Sequence, residues 1–215
     1  MNSLSPPSDV GQALRQLGVS KVQFEALIAY VETLERWRKK INLIGPATTE
    51  DVWRRHVLDS AQVRSLLLDL RQPVLDLGSG AGFPGLVLAI LGATDVTMVD
   101  SDQRKAVFLR EAARAAGVNP RVVPKRFDDA LASENRSYGV VTARAVARLP
   151  ALIPTLIRAL EPEGYALLHK GIQAEEELTE ARKSWTIQSV SHPSITGAGG
   201  VILKIWGIRR HDFSS

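Results

Sequence analysis

From Val10 onward the apolar positions recur every three to four residues: Ala13, Leu14 and Leu17, then Phe24, Leu27, Ile28, Val31 and Leu34. That spacing lines one face of a helix. Gly18 and Ser20 divide the run into two predicted helices, the second closing on Arg36, Trp37, Arg38, Lys39 and Lys40. Asn42 to Pro46 reads as a turn. A third helix is expected to open after Thr48, with Glu50 and Asp51 at its positive end and Val52, Trp53, His56, Val57, Ser60 and Val63 on its inner face. The pattern predicts a disordered tail over residues 1–9 and a helical extension over 10–70.

The period changes at Pro73. Short apolar runs at 74–77, 96–100, 121–123, 138–142 and 165–169 read as buried strands. Helical patterns separate several of them, at 86–91, 102–116 (with Ser101 as the expected cap and Gly117 as the stop) and 149–160. A charged helix follows over 173–183, then two strands, 186–190 and 201–206, flank a glycine-rich loop. Strands alternating with helices imply an α/β fold with a mostly parallel, Rossmann-like sheet and right-handed crossovers. The last two strands have no helix between them and should pair antiparallel. Residues 71–215 form the expected ligand-binding domain.

Composition narrows the classes. A chain of 215 residues, 45% apolar, holds one α/β domain with a short extension. It contains no cysteine, which excludes disulfides, thiolate metal sites and a cysteine nucleophile. The start lacks the basic and apolar regions of a signal peptide, and the apolar stretch at 85–91 is too short to span a bilayer. A cytoplasmic protein is the expectation. Lys and Arg exceed Asp and Glu by 27 to 23, which permits a nucleic-acid partner and fits an ordinary soluble surface equally well.

The most informative stretch runs from Asp76 through Gly78, Gly80, Gly82 and Phe83 to Pro84 and Gly85. Its glycines allow a sharp strand-to-helix turn and close approach of a ligand to the backbone, at the N-terminus of the helix that follows. Asp100 ends the next strand, where a carboxylate can accept the ribose hydroxyls of an adenosine. Gly80, Gly82 and Gly85 also fit a dinucleotide fingerprint. Asp76 disfavours that reading, since a carboxylate at the mouth welcomes a cationic or amino group and opposes a pyrophosphate. S-adenosylmethionine is therefore the expected cofactor. The other strand ends carry Asp128, Arg144 and Lys170. Arg144 stands among small apolar residues, so it is either paired or in contact with a ligand.

On these residues the chain resembles the bacterial glucose-inhibited division protein B family, the guanine-N7 methyltransferases of small-subunit (16S) ribosomal RNA. The matching pieces are Asn42-Leu43, Arg55-His56 with Asp59-Ser60, Asp76 to Gly85, Asp100-Ser101, Lys105 with Phe108-Leu109, Arg126-Phe127-Asp128, Arg144-Ala145, and Lys170-Gly171 with Glu175 to Glu177. The resemblance implies a class I methyltransferase sheet behind an N-terminal helical extension. It implies cofactor contacts at Gly78, Phe83, Phe127, Asp128 and Arg144, with Asp100 as the ribose acid. Asp128 departs from the glutamate more usual in the family.

Guanine N7 attacks without losing a proton, so placement and charge should carry the reaction, with Arg144 as the expected catalytic group. His56 and Asp59, three apart, share a helical face and are expected to be structural or RNA-positioning. Arg54, Arg55, Arg126, Arg148 and Lys170 are the candidate RNA contacts, and Arg36, Arg38, Lys39 and Lys40 form a second basic cluster. The expected partner is 16S rRNA or the small ribosomal subunit, engaged by a monomer with no metal and no membrane. Glu175 to Glu177 reads as a solvated helix start. A small-molecule methyltransferase, or a non-catalytic assembly protein that retains a cofactor pocket, are the competing functions.

Overall fold

The computed structural model describes residues 5–45, 51–134, 136–197 and 199–211. Seven strands form one sheet: β1 Val74–Leu77, β2 Val96–Val99, β3 Arg121–Val123, β4 Tyr138–Arg144, β5 Leu160–Lys170, β6 Trp185–Pro193 and β7 Val201–Arg210. Their order is β3-β2-β1-β4-β5-β7-β6. The first five are parallel, and β7 runs antiparallel between β5 and β6. The Rossmann-like sheet and the antiparallel C-terminal pairing follow the sequence expectation.

Both faces of the sheet are covered, which is why β1, β2 and nearly all of β4 are buried throughout. Period-two alternation divides their side chains. Val74, Met98, Val140, Leu167 and Ile202 pack toward α1 (Ser8–Gln16), α2 (Lys21–Trp37), α4 (Gly85–Ile90) and α5 (Gln103–Ala115). Leu75, Val99, Val141, Leu168 and Leu203 pack toward α6 (Phe127–Glu134), α7 (Leu149–Ala159) and α8 (Ala174–Ala181).

Several local expectations change. Helix α1 begins at Ser8, so two residues assigned to the tail are helical, and Asp9 pairs with Arg54; residues 1–4 lie outside the described residues. The start of the expected third helix, Thr48 to Glu50, also lies outside them. The rest is an irregular helical run: π-helical over Trp53–Leu58, α-helical over Asp59–Ala61 (α3) and 3-10 over Gln62–Leu66. The cap of α5 is Asp102, whose carboxylate accepts from the Arg104 N–H at 2.8 Å. Ser101 does not cap it; Asp102 sits one position closer, with the right extended backbone. Helix α6 has no counterpart in the sequence reading.

Strand order reverses between β1 and β4, so their carboxyl ends open a crevice. Leu77 registers with Ala143, and Arg144 with His169. The glycine loop, Arg144 and the end of β5 therefore stand side by side.

Candidate active site

The loop after β1 is built from below. Asp76 lies on the strand face covered by α4 and is fully buried. Its carboxylate accepts from the Thr142 hydroxyl at 2.7 Å and from the Gly85 N–H at 3.2 Å. Burial pushes its pKa up to about 6, against the opposing pull of these hydrogen bonds. Expected at the mouth, Asp76 is instead a brace. A Cβ on Gly85 would stand 2.7 Å from its carboxylate, so glycine is needed there for packing.

The other glycines have different roles. Gly82, at φ +92°, faces the core: a Cβ would meet Leu86 at 2.9 Å and the Tyr30 hydroxyl at 3.1 Å. At Gly78, φ +64°, a Cβ would meet Val146 at 2.7 Å and the Phe127 ring at 3.5 Å. Only Gly80 of the three has an open Cβ direction, with nothing nearer than a backbone oxygen at 3.7 Å. Its N–H donates to Asp100 Oδ2 at 2.9 Å, and Asp100 Oδ1 accepts from the Asp102 N–H at 2.9 Å. Each Asp100 oxygen keeps a second lone pair for a ligand hydroxyl. Tyr30, fully buried on α2, donates to the Ala81 carbonyl at 2.5 Å and packs on Phe83. Burial raises its pKa well above the usual phenol value.

Phe83 connects the loop to its neighbour strand. His56 stacks on it at 4.9 Å, and the Arg144 guanidinium lies 6.0 Å from its ring centre. Burial, reinforced by Arg144 and Arg55, pushes the His56 pKa down to about 3, so the ring is neutral at physiological pH. Arg144 Nη2 donates to the Arg55 carbonyl at 2.8 Å, and Nη1 has an ionic contact with Asp59 Oδ2 at 3.5 Å but no hydrogen bond. Ala145, which follows, holds a left-handed backbone at φ +52°, uncommon for a residue with a Cβ.

Asp59 was placed in a structural or RNA-positioning pair, and the structure makes it a junction. Its Oδ1 accepts from Gln62 Nε2 at 2.7 Å and from Ser194 Oγ at 2.8 Å. His169 Nε2 lies 3.1 Å from its carbonyl and 3.6 Å from Oδ2. Burial lowers the His169 pKa, with Asp59 opposing. The Ile195 N–H donates to Gln62 Oε1 at 3.0 Å, so the β6–β7 loop is fastened to the helical run. Between them lies an open cleft of about 540 Å³, lined by Asp51, Arg54, Arg55, Asp59, Arg144 and Lys170 among others.

The remaining candidates separate by their partners. Lys170 Nζ, nearly buried, donates to Glu177 at 2.7 Å and to the Ala147 carbonyl at 2.9 Å. Burial would raise the Glu177 pKa, but Lys170, the Leu149 N–H and Arg148 together hold it below the usual range. Arg148 pairs with Glu176 and Glu180. Asp128 pairs with Arg158 at 2.5 Å. Arg54 pairs with Asp9 and Asp51. Arg55 and Arg126 are exposed and have no ion pair among the described residues. No cluster of three metal-ligating side chains occurs among the described residues. Tyr30, Gln62 and His169 were not among the predicted site residues; only their proximity in the fold reveals them.

The fold is shared with methyltransferases of solved structure. A ribosomal protein L11 methylase from Lactobacillus delbrueckii superposes with a TM-score of 0.58 at 20% identity, covering 78% of this chain and 81% of that one. A magnesium protoporphyrin IX methyltransferase from Synechocystis, solved with bound SAM, gives 0.58 at 19%, covering 82% and 90%. Sequence similarity is closer to proteins named ribosomal RNA small subunit methyltransferase G. The one from Rhodospirillum centenum is 46% identical over 188 residues, 87% of this chain and 86% of that protein. That from Paramagnetospirillum magneticum is 43% identical over 199 residues, 93% and 96%. The family described as rRNA small subunit methyltransferase G matches residues 23–206, and with relatives this similar over most of their length, the chain belongs to that family.

Proposed function

We propose that this chain transfers a methyl group from S-adenosylmethionine to N7 of a guanine in the decoding region of 16S ribosomal RNA, acting as a cytoplasmic monomer without a metal. The observation that carries the reading is the position of Arg144: one side chain borders both the glycine loop and the open cleft, at the point where strand order reverses. A ligand loop on one side and a polar cleft on the other are what a transfer between two substrates requires.

The residues fit the cofactor. Gly80 leaves its Cβ direction open, and Asp100 retains acceptor capacity toward a ribose. The bound cofactor supplies an electrophilic methyl on a sulfonium. We assign its contacts to Gly78, Gly80, Phe83, Asp100, Phe127, the Asp128 turn and Arg144, with Asp76 and Gly82 shaping the loop from beneath. Arg144, largely desolvated, sets charge and orientation at the reacting centre. No base is needed: the N7 lone pair is free, and His56 is neutral for a structural reason, its burial against Phe83. Arg55 and Arg126 are the cations we assign to RNA. Arg148 and Lys170 are already neutralised by α8 glutamates, and Arg54 by Asp9 and Asp51.

The test is transfer of labelled methyl to small subunits and to naked rRNA, followed by borohydride reduction and aniline cleavage, which cut RNA at N7-methylguanosine. Labelled RNA that is cleaved at one site is the expected result. Label that resists cleavage would move the reaction to another atom, and no transfer to either RNA substrate would end the reading.

A further inference from the structure

The guanidinium of Arg144 has two anchors, and both come from one short stretch of the helical run. In an α-helix the Arg55 carbonyl would accept from the Asp59 N–H. The π-helical turn over Trp53–Leu58 changes this, because the Asp59 N–H bonds to the carbonyls of Arg54 and His56. The Arg55 carbonyl receives Arg144 Nη2 instead, at 2.8 Å. Asp59, the residue that follows the turn, brings Oδ2 to 3.5 Å from Arg144 Nη1. Turns of this kind occur frequently at functional sites, where a shifted backbone group gains a new partner.

The two oxygens of Asp59 face different groups. Oδ1 accepts from Gln62 Nε2 at 2.7 Å and from Ser194 Oγ at 2.8 Å, so it is fixed by the helical run on one side and the β6–β7 loop on the other. Ser194 Oγ in turn accepts from Gln62 Nε2 at 3.0 Å and from the Thr196 N–H at 3.2 Å, which closes the network. Oδ2 faces Arg144 Nη1 and, at 3.6 Å, His169 Nε2. Burial disfavours the charged form of His169, so Arg144 is the cation in ionic contact with this carboxylate among the described residues. Arg144 Nη1 is buried without a hydrogen bond. One hydrogen bond to a carbonyl leaves a guanidinium free to pivot, and the charge of Asp59 removes that freedom.

Resting on the function proposed above, we infer that Asp59 is a positioning residue: its carboxylate aims Arg144 at the reacting centre, and the β6–β7 loop, through Ser194, holds that aim. The test uses the full-length enzyme, saturating cofactor and small subunits prepared from cells that lack this methylation. Asp59→Asn keeps an acceptor at Oδ1 for Gln62 and Ser194 and removes the charge in front of Arg144. It should lower kcat by about tenfold or more, the scale of a small misplacement at a reacting centre, with KM for subunits within about threefold. Its melting temperature should stay near that of the wild type. The same change made in Arg144→Ala should cost less than about twofold, because a residue that acts through Arg144 has nothing left to aim. Ser194→Ala, which keeps the charge and loosens its holder, should lower kcat by about threefold, again with little further loss in Arg144→Ala. Should Asp59→Asn prove unstable, Ser194→Ala carries the test alone. A kcat within about twofold of wild type for Asp59→Asn, a loss confined to KM, or losses that simply add in the double variant would overturn this assignment. Wild-type kcat for Ser194→Ala would strike the loop from it. A wild-type enzyme that methylates no RNA would instead remove the reading beneath it.

Discussion

Arg144 is the residue on which the two halves of the site meet. Removing its guanidinium should both weaken cofactor binding and slow the reaction at saturating cofactor, because it borders Phe83 and the cleft together. Single-turnover methylation across a cofactor titration separates the two effects. Arg144→Ala should fall short of the wild-type rate at every cofactor concentration. Arg144→Lys should recover only part, since an ammonium cannot serve the Arg55 carbonyl and Asp59 in one plane. Full recovery of the Ala variant at saturation would leave Arg144 a binding residue alone. Asp76 makes a prediction of a different kind. Its carboxyl titrates near 3.8 when unfolded and about 6 when folded. Between those values the native state keeps a proton that the unfolded chain has released, so stability falls as pH rises through the window, by about 3 kcal/mol in all. Asp76→Asn should lack this slope, its Oδ1 accepting from Gly85 and its amide donating to the Thr142 hydroxyl. Urea unfolding at pH 4.5 and pH 7 compares them, and equal slopes for the two proteins would contradict the buried ionisation.

At the scale of elements, the glycine loop rests on α2. The Tyr30 hydroxyl is the one polar contact that α2 makes with the loop backbone among the described residues. Tyr30→Phe keeps the ring against Phe83 and leaves the Ala81 carbonyl without its donor, a loss of about 1–3 kcal/mol. Thermal unfolding should register that loss, and calorimetry should show weaker cofactor binding. An unchanged cofactor affinity would mean that the loop holds its shape without α2. Much of the element order was legible in the sequence, because buried parallel strands and amphipathic helices leave unmistakable periods. Three features were not. Helix α6 is short and opens Phe127-Asp128-Asp129, too brief an apolar pattern to declare itself. Strand β5 begins at Leu160 rather than Tyr165, since its exposed Glu161-Pro162-Glu163 segment carries no strand signal. The π-helical turn at Trp53–Leu58 has the same inward residues as an α-helix over so short a span. For the site, strand ends gave location but not direction. Asp76 and Asp100 both close strands, yet one points under α4 and the other into the loop.

The whole molecule distributes charge in a way that composition conceals. The net +4 arises from cations of two kinds, those answered by a neighbouring carboxylate and those left to solvent. Arg36 reaches Glu111 and Arg38 reaches Glu35, whereas Lys39 and Lys40 have no ion pair among the described residues. Removing Lys39 and Lys40 together should therefore flatten the salt dependence of RNA binding by about two in slope, with cofactor affinity retained. Binding isotherms across a salt series test this, and an unaltered slope would assign that end of α2 to helix-end complementarity alone. Sequence spacing could not sort these charges, because Arg148 and its partners lie 28 and 32 positions apart. Distance along the chain has one more effect. The cleft wall is closed by Ser194 on Asp59, a separation of 135 residues, whereas the Gly80–Asp100 contact spans 20. A chain leaving the ribosome can thus close the Gly80–Asp100 contact of its glycine loop early, while the wall of the cleft must wait for the final hairpin, so the two halves of the site are completed at opposite ends of synthesis.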